Sequence, residues 1–364
     1  MRRLLILLAG MATSGLAAPA LAQPGAPELQ ITQVTGDLYR FRFGGASGVF
    51  LVTTEGIIVA DPVSTPAATR LKAELDRRYP AAPVRYVIYT HHHFDHAEGG
   101  AVFADTAQFV AHRNMPEAIH LGVSHTLPGA SHDVNGDGVL EPGTEARSGT
   151  LAQFARLDRN HDGLLTGPEM MAEVHPPDVV YDDRLTLVLG GRRVDLVHPG
   201  PNHSRDMTVV HFPAERAVFS ADFHYVKRLQ GAWGAFDRTP LADWIASLKK
   251  VETLDFEIII PAHTADGTRQ DAVDERVFFE DLVAAVSEGM AAGMTLEELK
   301  DGIVLDKYKD WGGYGPGGHQ NLDIFGIPVS PYEANHPRGG LRMHIQAAYL
   351  NLRAYPQTQS APRN

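Results

Sequence analysis

The sequence predicts an α/β layered fold, and three observations carry that reading. Apolar β-like runs alternate with an amphipathic helix before residue 120, similar runs return after residue 175, and the tail has helical periodicity. LYRFRF, GVFLVT and GIIVADP come first, punctuated by Thr-Gly-Asp and Thr-Glu-Gly turns. STPAATRLKAELDRRYP follows as a helix in which Thr65 is the expected cap, Pro66 suits the first turn, and Leu71 and Leu75 share a face. VRYVIYT then reads as a buried strand. Beyond residue 175 the β-like runs are LTLVLGG, RRVDLVHPG, MTVVHFP, AVFSADF and FEIIIPAH. In the tail, Phe278, Leu282, Val286 and Met290 recur at spacing four, T-L-E-E at 295 is a capping box, and Leu341, Ile345 and Leu352 line one side of a last helix.

Residues 1–22 read as a secretory signal peptide: Arg2 and Arg3, an apolar stretch, then Ala20-Leu21-Ala22. The expected location is periplasmic or secreted, with no membrane association after cleavage. The chain contains no cysteine, so disulfides and thiolate ligands are excluded and stability must come from packing and bound ions. Without Arg2 and Arg3 the 32 basic residues become 30 against 44 acidic ones, a formal charge of −14. Such a surface repels phosphate backbones, which argues against a nucleic-acid partner and for a small-molecule substrate. From 120 to 175 the composition shifts to Gly, Asp, Asn, His and Pro. That segment is read as an insertion into one domain, whose parts are 23–119 and 176–364, the second with a helical C-terminal tail.

THHHFDHAEGG, residues 90–100, concentrates four histidines and an aspartate. Alternation along a strand would turn His91 and His93 the same way, with Asp95 and His96 free to face a neighbouring position. Imidazole nitrogen and carboxylate oxygen suit zinc, and two adjoining sets suit two metals. Three later apolar runs lead to further ligand types, at His203, Asp222 and His263. Singly, each has an ordinary structural explanation as a cap, a hydrogen-bonded histidine or a turn former. Together they form a pattern.

H-x-H-x-D-H at 91–96, followed in order by His203, Asp222 and His263, resembles the metallo-β-lactamase-fold superfamily over most of residues 30–265 outside the insertion. The resemblance implies an αββα sandwich of two mixed sheets with the metal site at one edge. It implies two Zn²⁺: His91, His93 and His203 on the first, Asp95, His96 and His263 on the second, with Asp222 bridging. His92 falls at the variable position and is not expected to be a ligand.

Two such ions lower the pKa of a shared water and polarise the bond it attacks. Asp95 can orient the nucleophile or relay its proton, which makes it the candidate catalytic residue. The expectation is a zinc-dependent hydrolase acting on a small ester, lactone, lactam or related bond. Asp222 stands where β-lactamases of this fold tend to carry cysteine or serine, whereas export suits β-lactam defence, so β-lactamase activity stays open. An iron-dependent sulfur dioxygenase-like oxidoreductase is the other alternative, because the ligand sets overlap. Tyr225 and Lys227, just past Asp222, are candidates for contacting substrate.

Within the insertion, DRNHDGLLTGPE matches an EF-hand calcium loop. Asp158, Asn160 and Asp162 fall at positions one, three and five, Gly163 at the turn, Thr166 at nine and Glu169 at twelve. LAQFARL and PEMMAEV are the expected flanking helices. DVNGDGVLEPGTE is a less regular copy, with Asp133, Asn135, Asp137 and Gly138 in place but Thr144 last, unless Glu141 or Glu145 substitutes. A small helical, EF-hand-like unit holding structural Ca²⁺ is therefore expected. The Gly-, Pro- and aromatic-rich stretch from Tyr308 to Gly340 is read as packing or a homo-oligomer contact, with a lid as the other use.

Overall fold

The computed structural model describes residues 27–119, 135, 137–142, 144–145, 154–230, 239–316 and 330–356. The leader reading of 1–22 and the proposed ligand Asp133 lie outside these residues. Among the described residues, no helix is long and apolar enough to cross a membrane.

Two mixed sheets form the middle of the molecule. The first is built from β1 (Gln30–Thr35), β2 (Leu38–Phe43), β3 (Ala46–Thr53) and β4 (Gly56–Ala60), then, after helix α1 (Thr65–Arg78), β5 (Val84–Ile88). A short helix α2 (Phe94–Ala97) precedes β6 (Gln108–His112). Within the insertion lie β7 (Val139–Leu140), β8 (Leu165–Thr166) and a short α3 (Gly167–Met170), before β9 (Val179–Tyr181). The strand order is β1-β2-β3-β4-β5-β6-β9, antiparallel up to β4 and parallel from β4 onward.

The second sheet follows in the chain: β10 (Arg184–Leu189), β11 (Arg192–Val197), β12 (Val209–Phe212) and β13 (Ala217–Ala221), helix α4 (Leu241–Glu252), then β14 (Ile258–Pro261) and β15 (Gly267–Thr268). Its order is sequential and only the β13–β14 pair is parallel. The longer helices that follow are α5 (Arg269–Ala291), α6 (Leu296–Gly302) and α7 (Gly339–Ala354).

Three apolar layers hold these elements together. Leu51, Ile58, Ile88 and Val110 of the first sheet meet Leu196, Val210, Phe219 and Ile260 of the second, all buried. Outside the first sheet, Ile57, Val59 and Val87 pack on Leu71 and Leu75 of α1. Outside the second, Val209, Val218 and Ile259 pack on Trp244, Phe278, Leu282, Leu341 and Ile345. Helix, sheet, sheet, helix is the expected αββα sandwich. Strands buried on both faces explain why β3 and β4 read as continuous apolar runs rather than alternating ones.

Some local readings needed correction. Ser64, not Thr65, caps α1, its hydroxyl accepting the Ala67 N–H; Thr65 is the first helical residue. Strand β5 ends at Ile88, so His91 and His93 sit in the loop leading to α2 rather than on alternating strand positions. The T-L-E-E segment does close a capping box, between Thr295 and Glu298. The described part of the insertion packs outside the first sheet, where Leu140, Leu157, Leu165 and Met170 share a buried layer with Phe103 and Phe109.

Candidate metal centre

The centre lies where β5, β13 and β14 deliver the chain to one edge of the sandwich. The β5–α2 loop carries His91 and His93, α2 carries Asp95 and His96, and the turns after β13 and β14 carry Asp222 and His263. His203 comes from the segment between β11 and β12. The seven residues fall into two adjoining groups, His91, His93, His203 and Asp222 in one and Asp95, His96 and His263 in the other, each with its ligand atoms within 4.8 Å of one another.

Asp222 joins the groups. Its Oδ1 lies 3.0 Å from both His96 Nε2 and His263 Nε2, and its Oδ2 lies 3.5 Å from His203 Nε2. Asp95 Oδ2 is 3.6 Å from the same two nitrogens of His96 and His263. In the other group, His203 Nε2 is 3.1 Å from His93 Nδ1.

The outer ring nitrogens of His91, His96 and His263 are tied down, which fixes the atom each of these three presents. Asp61 is the main anchor: one oxygen faces His96 Nδ1 at 2.9 Å and accepts the Thr90 hydroxyl at 2.7 Å, and the other accepts the Thr90 N–H at 2.8 Å. His91 Nδ1 lies 3.0 Å from the Thr90 hydroxyl, leaving Nε2 for the centre. His263 Nδ1 faces the Gly45 carbonyl at 2.9 Å. The Arg40 guanidinium fastens the loop bearing His263 to the first sheet, donating to the carbonyls of Pro261 (2.9 Å) and Thr264 (2.6 Å) and pairing with Asp266. His92 is not among the converging ligands, its Nδ1 being 2.8 Å from Asp206.

Charge in the cluster is unevenly distributed. Burial, reinforced by neighbouring imidazoles, holds His91 and His93 well below the usual histidine range, and His203 falls to about 4 mainly through burial. Burial alone would also lower His96 and His263, but the carboxylates of Asp222 and Asp95 outweigh it and raise both. Burial would raise Asp222, yet His263 and His96 hold it well below the carboxylate range; Asp95 is raised, mainly by burial. A cation between the groups would replace the protons those two imidazoles otherwise carry.

The donor set fits divalent ions. His91 Nε2, His96 Nε2, Asp95 Oδ1 and Asp222 Oδ1 are all buried without a hydrogen bond of sound geometry. Buried ligand atoms crowded at one point, held by ion pairs of poor geometry or by nothing, are costly unless something else binds them.

Of the residues considered for substrate contact, Tyr225 is half-buried, with its ring stacked 6.2 Å from that of His263 and its N–H donated to Glu275. Lys227 is exposed and lies 3.4 Å from Asp271. Asp61 and Arg40 escaped the sequence reading. Asp61 had a usable signal, since GIIVAD ends a buried strand in aspartate just as AVFSAD does.

An αββα sandwich with two adjoining imidazole–carboxylate groups at its edge, sharing one aspartate, defines a class of two-compartment metal-binding proteins. The chain belongs to the metallo-beta-lactamase superfamily, whose family model matches residues 42–263. It is 24% identical over 277 residues to the 2,4-dinitroanisole O-demethylase subunit alpha of Nocardioides sp. (strain JS1661), covering 76% of this chain and 70% of that one. It is also 24% identical over 265 residues to a linear primary-alkylsulfatase of Pseudomonas sp. (strain ATCC 19151), covering 69% of this chain and 48% of the relative, so it spans about half that protein's length. Among solved structures, a metallo-beta-lactamase from Pontibacter korlensis shares 16% identity, covers 70% of this chain and 99% of its own, and has a TM-score of 0.48. A mono-zinc metallo-beta-lactamase from Pseudomonas aeruginosa shares 17%, covers 71% and 98%, and also has a TM-score of 0.48.

Proposed function

We propose that this chain is a zinc-dependent hydrolase with two metal ions, acting on a small molecule outside the cytoplasm. The observation that carries the reading is the division of Asp222, one oxygen toward His96 and His263 and the other toward His203. A carboxylate so placed belongs to both compartments, which metal storage does not require. Bound divalent ions would supply Lewis acidity and an activated water.

The chain's own residues do the rest. His91, His93 and His203 hold one compartment and Asp95, His96 and His263 the other. Asp61, Thr90 and the Gly45 carbonyl orient the imidazoles, so little rearrangement accompanies the reaction. Asp95, whose Oδ1 is buried and unpaired beside His96 and His263, is placed to orient the attacking water and hold its proton. Tyr225, stacked against His263, is the candidate for contacting substrate.

For the substrate, a small ester, lactone, lactam or related bond is the reading. The relatives named for O-demethylation and alkyl sulfate cleavage widen the screen to aryl methyl ethers and sulfate esters. The charge of the chain favours small molecules over nucleic acid, and the leader-like residues 1–22 support export.

Elemental analysis of the purified chain tests the proposal, coupled to turnover of an ester, lactone, lactam, sulfate ester and aryl ether panel. Two zincs per chain, with Asp222→Ala abolishing turnover, is the expected result. A single iron per chain with oxygen consumption would replace the hydrolase by the dioxygenase reading, and turnover of the lactams alone would make the chain a β-lactamase.

A further inference from the structure

We propose that the loop Asp158–Glu169 is a calcium site that braces the metal centre from behind, independently of which reaction that centre performs. Its turns are already closed by its own side chains. Asp158 Oδ2 accepts the Gly163 N–H across the loop at 3.0 Å, Asn160 Oδ1 accepts the Asp162 N–H at 2.8 Å, and Asp162 Oδ1 accepts the Leu164 N–H at 2.9 Å. Gly163 takes a φ of +84°, which glycine tolerates and which the turn at the sixth position needs.

The separate sign of a ligand is Asp158 itself. The residue is 7% exposed, and its Oδ1 is buried with no hydrogen-bond partner. The Gly163 contact holds the other oxygen of that carboxylate, Oδ2, across the loop, at the first position of the D-x-N-x-D-G pattern. A hard cation taking oxygen ligands from positions one, three, five and twelve satisfies it.

A second feature supports the assignment. Strands β7 and β8 pair antiparallel with Leu140 opposite Leu165. Each of these leucines stands two residues after the glycine of its D-x-N-x-D-G segment, Gly138 and Gly163, so the two strands meet at equivalent positions of the two segments.

In this structure Glu169 is turned to its own helix cap, accepting the Thr166 N–H at 3.0 Å and the Thr166 hydroxyl at 2.8 Å. The loop's carboxylates are not among the groups that converge within metal-ligand reach. Binding therefore turns Glu169 from Thr166 toward Asp158.

The residues flanking the loop on both sides are tied to the chain just past the metal centre. Arg156, two residues before it, pairs with Glu98 at 2.7 Å and with Glu173 at 2.6 Å. Glu173, four residues after it, accepts the Thr65 hydroxyl at 2.5 Å, and its carbonyl accepts the Gly99 N–H at 3.3 Å. Glu98 and Gly99 directly follow the segment bearing Asp95 and His96. A cation that fixes the two ends of the loop thus fixes the clamp on that segment.

The test is calorimetric titration of the zinc-loaded full chain with CaCl₂ after treatment with a calcium-selective chelator, together with melting curves. Saturable binding is expected in the range of extracellular modules, about 10⁻⁴ to 10⁻³ M, with a melting temperature that climbs with calcium. Glu169→Gln and Asp162→Asn change exposed or half-exposed side chains. They should weaken binding by at least about tenfold while melting like the unaltered chain without calcium. No binding up to about 10 mM Ca²⁺, or binding undiminished in both variants, would overturn the assignment. Binding that leaves the melting temperature unmoved would overturn the bracing.

Discussion

Replacing Asp61 by asparagine isolates how much the metal centre depends on residues that touch no metal. The carboxylate accepts three contacts, from the Thr90 N–H, the Thr90 hydroxyl and His96 Nδ1. As an acceptor-only group it forces His96 to carry its proton on Nδ1, leaving Nε2 free to ligate. Asparagine offers one acceptor and one donor in nearly the same volume. If its oxygen meets the Thr90 N–H, its amide nitrogen faces His96 and favours the tautomer with Nε2 blocked. If it flips, two donors oppose each other at Thr90. Either arrangement costs about one charge-assisted hydrogen bond, roughly 1.5–3 kcal/mol, or about 10- to 100-fold in affinity for a metal in the His96 compartment. Chelator competition with zinc measures this directly, with circular dichroism as the folding control. A folded Asp61→Asn chain that retains both zinc affinities within about twofold would refute the tautomer argument.

Other consequences are equally measurable. Glu275 is buried, and burial pushes its carboxyl up to about 8 despite hydrogen bonds from Gln230 and the Tyr225 N–H. Because the folded-state value is raised, its contribution is full below the ordinary carboxylate pKa of about 4.3 and is lost as pH rises through about 8, by at most about 5 kcal/mol. Urea unfolding of Glu275→Gln should accordingly be less sensitive to pH between 5 and 9 than that of the unaltered chain, and parallel profiles would count against it. Gly48→Ala would place a Cβ 2.2 Å from the Asp61 carbonyl oxygen and 2.5 Å from that of Ala60, wedging β3 from β4. A loss of about 3 kcal/mol and weaker zinc binding are expected by melting and chelator titration, whereas a neutral outcome would mean the strands part easily. His263→Ala removes one ligand from the compartment of Asp95 and His96 only, so elemental analysis should find about one metal per chain against the two proposed for the unaltered protein; loss of both would show that the compartments fill as a unit.

Much of the site was legible because its densest part is contiguous. H-x-H-x-D-H keeps four of seven ligands within six residues, and His203, Asp222 and His263 each follow an apolar run closely enough to be found. What was hidden depends on how strands pair and how the two sheets dock. Asp61 reaches the site only because β4 lies parallel to β5, its N–H donated to the Ile88 carbonyl. Arg40 carries no mark within LYRFRF, and it is 9% exposed because the second sheet brings Pro261, Thr264 and Asp266 over it. The path of His91 and His93 was misread for a related reason: strand alternation gives a direction only while the strand lasts, and β5 stops at Ile88. Ser64 and Thr65 are both able to cap, and choosing between adjacent hydroxyls requires backbone angles that the residue names do not carry.

The spread of ligands from His91 to His263 makes metal uptake a late event in the life of the chain. When residues 84–97 are in place, only His91, His93, Asp95 and His96 exist to bind, and neither compartment is complete. The missing ligands arrive with the second sheet, whose docking on the first brings His203 to His93 across 110 residues of chain, the slow, non-local kind of contact. Arg40 adds one more wait, since it secures the His263 loop only once the sheets have docked. Zinc held by this protein would therefore report that both halves have found each other. An unfinished chain would have little with which to compete for the ion, and so little opportunity to carry it in the wrong place.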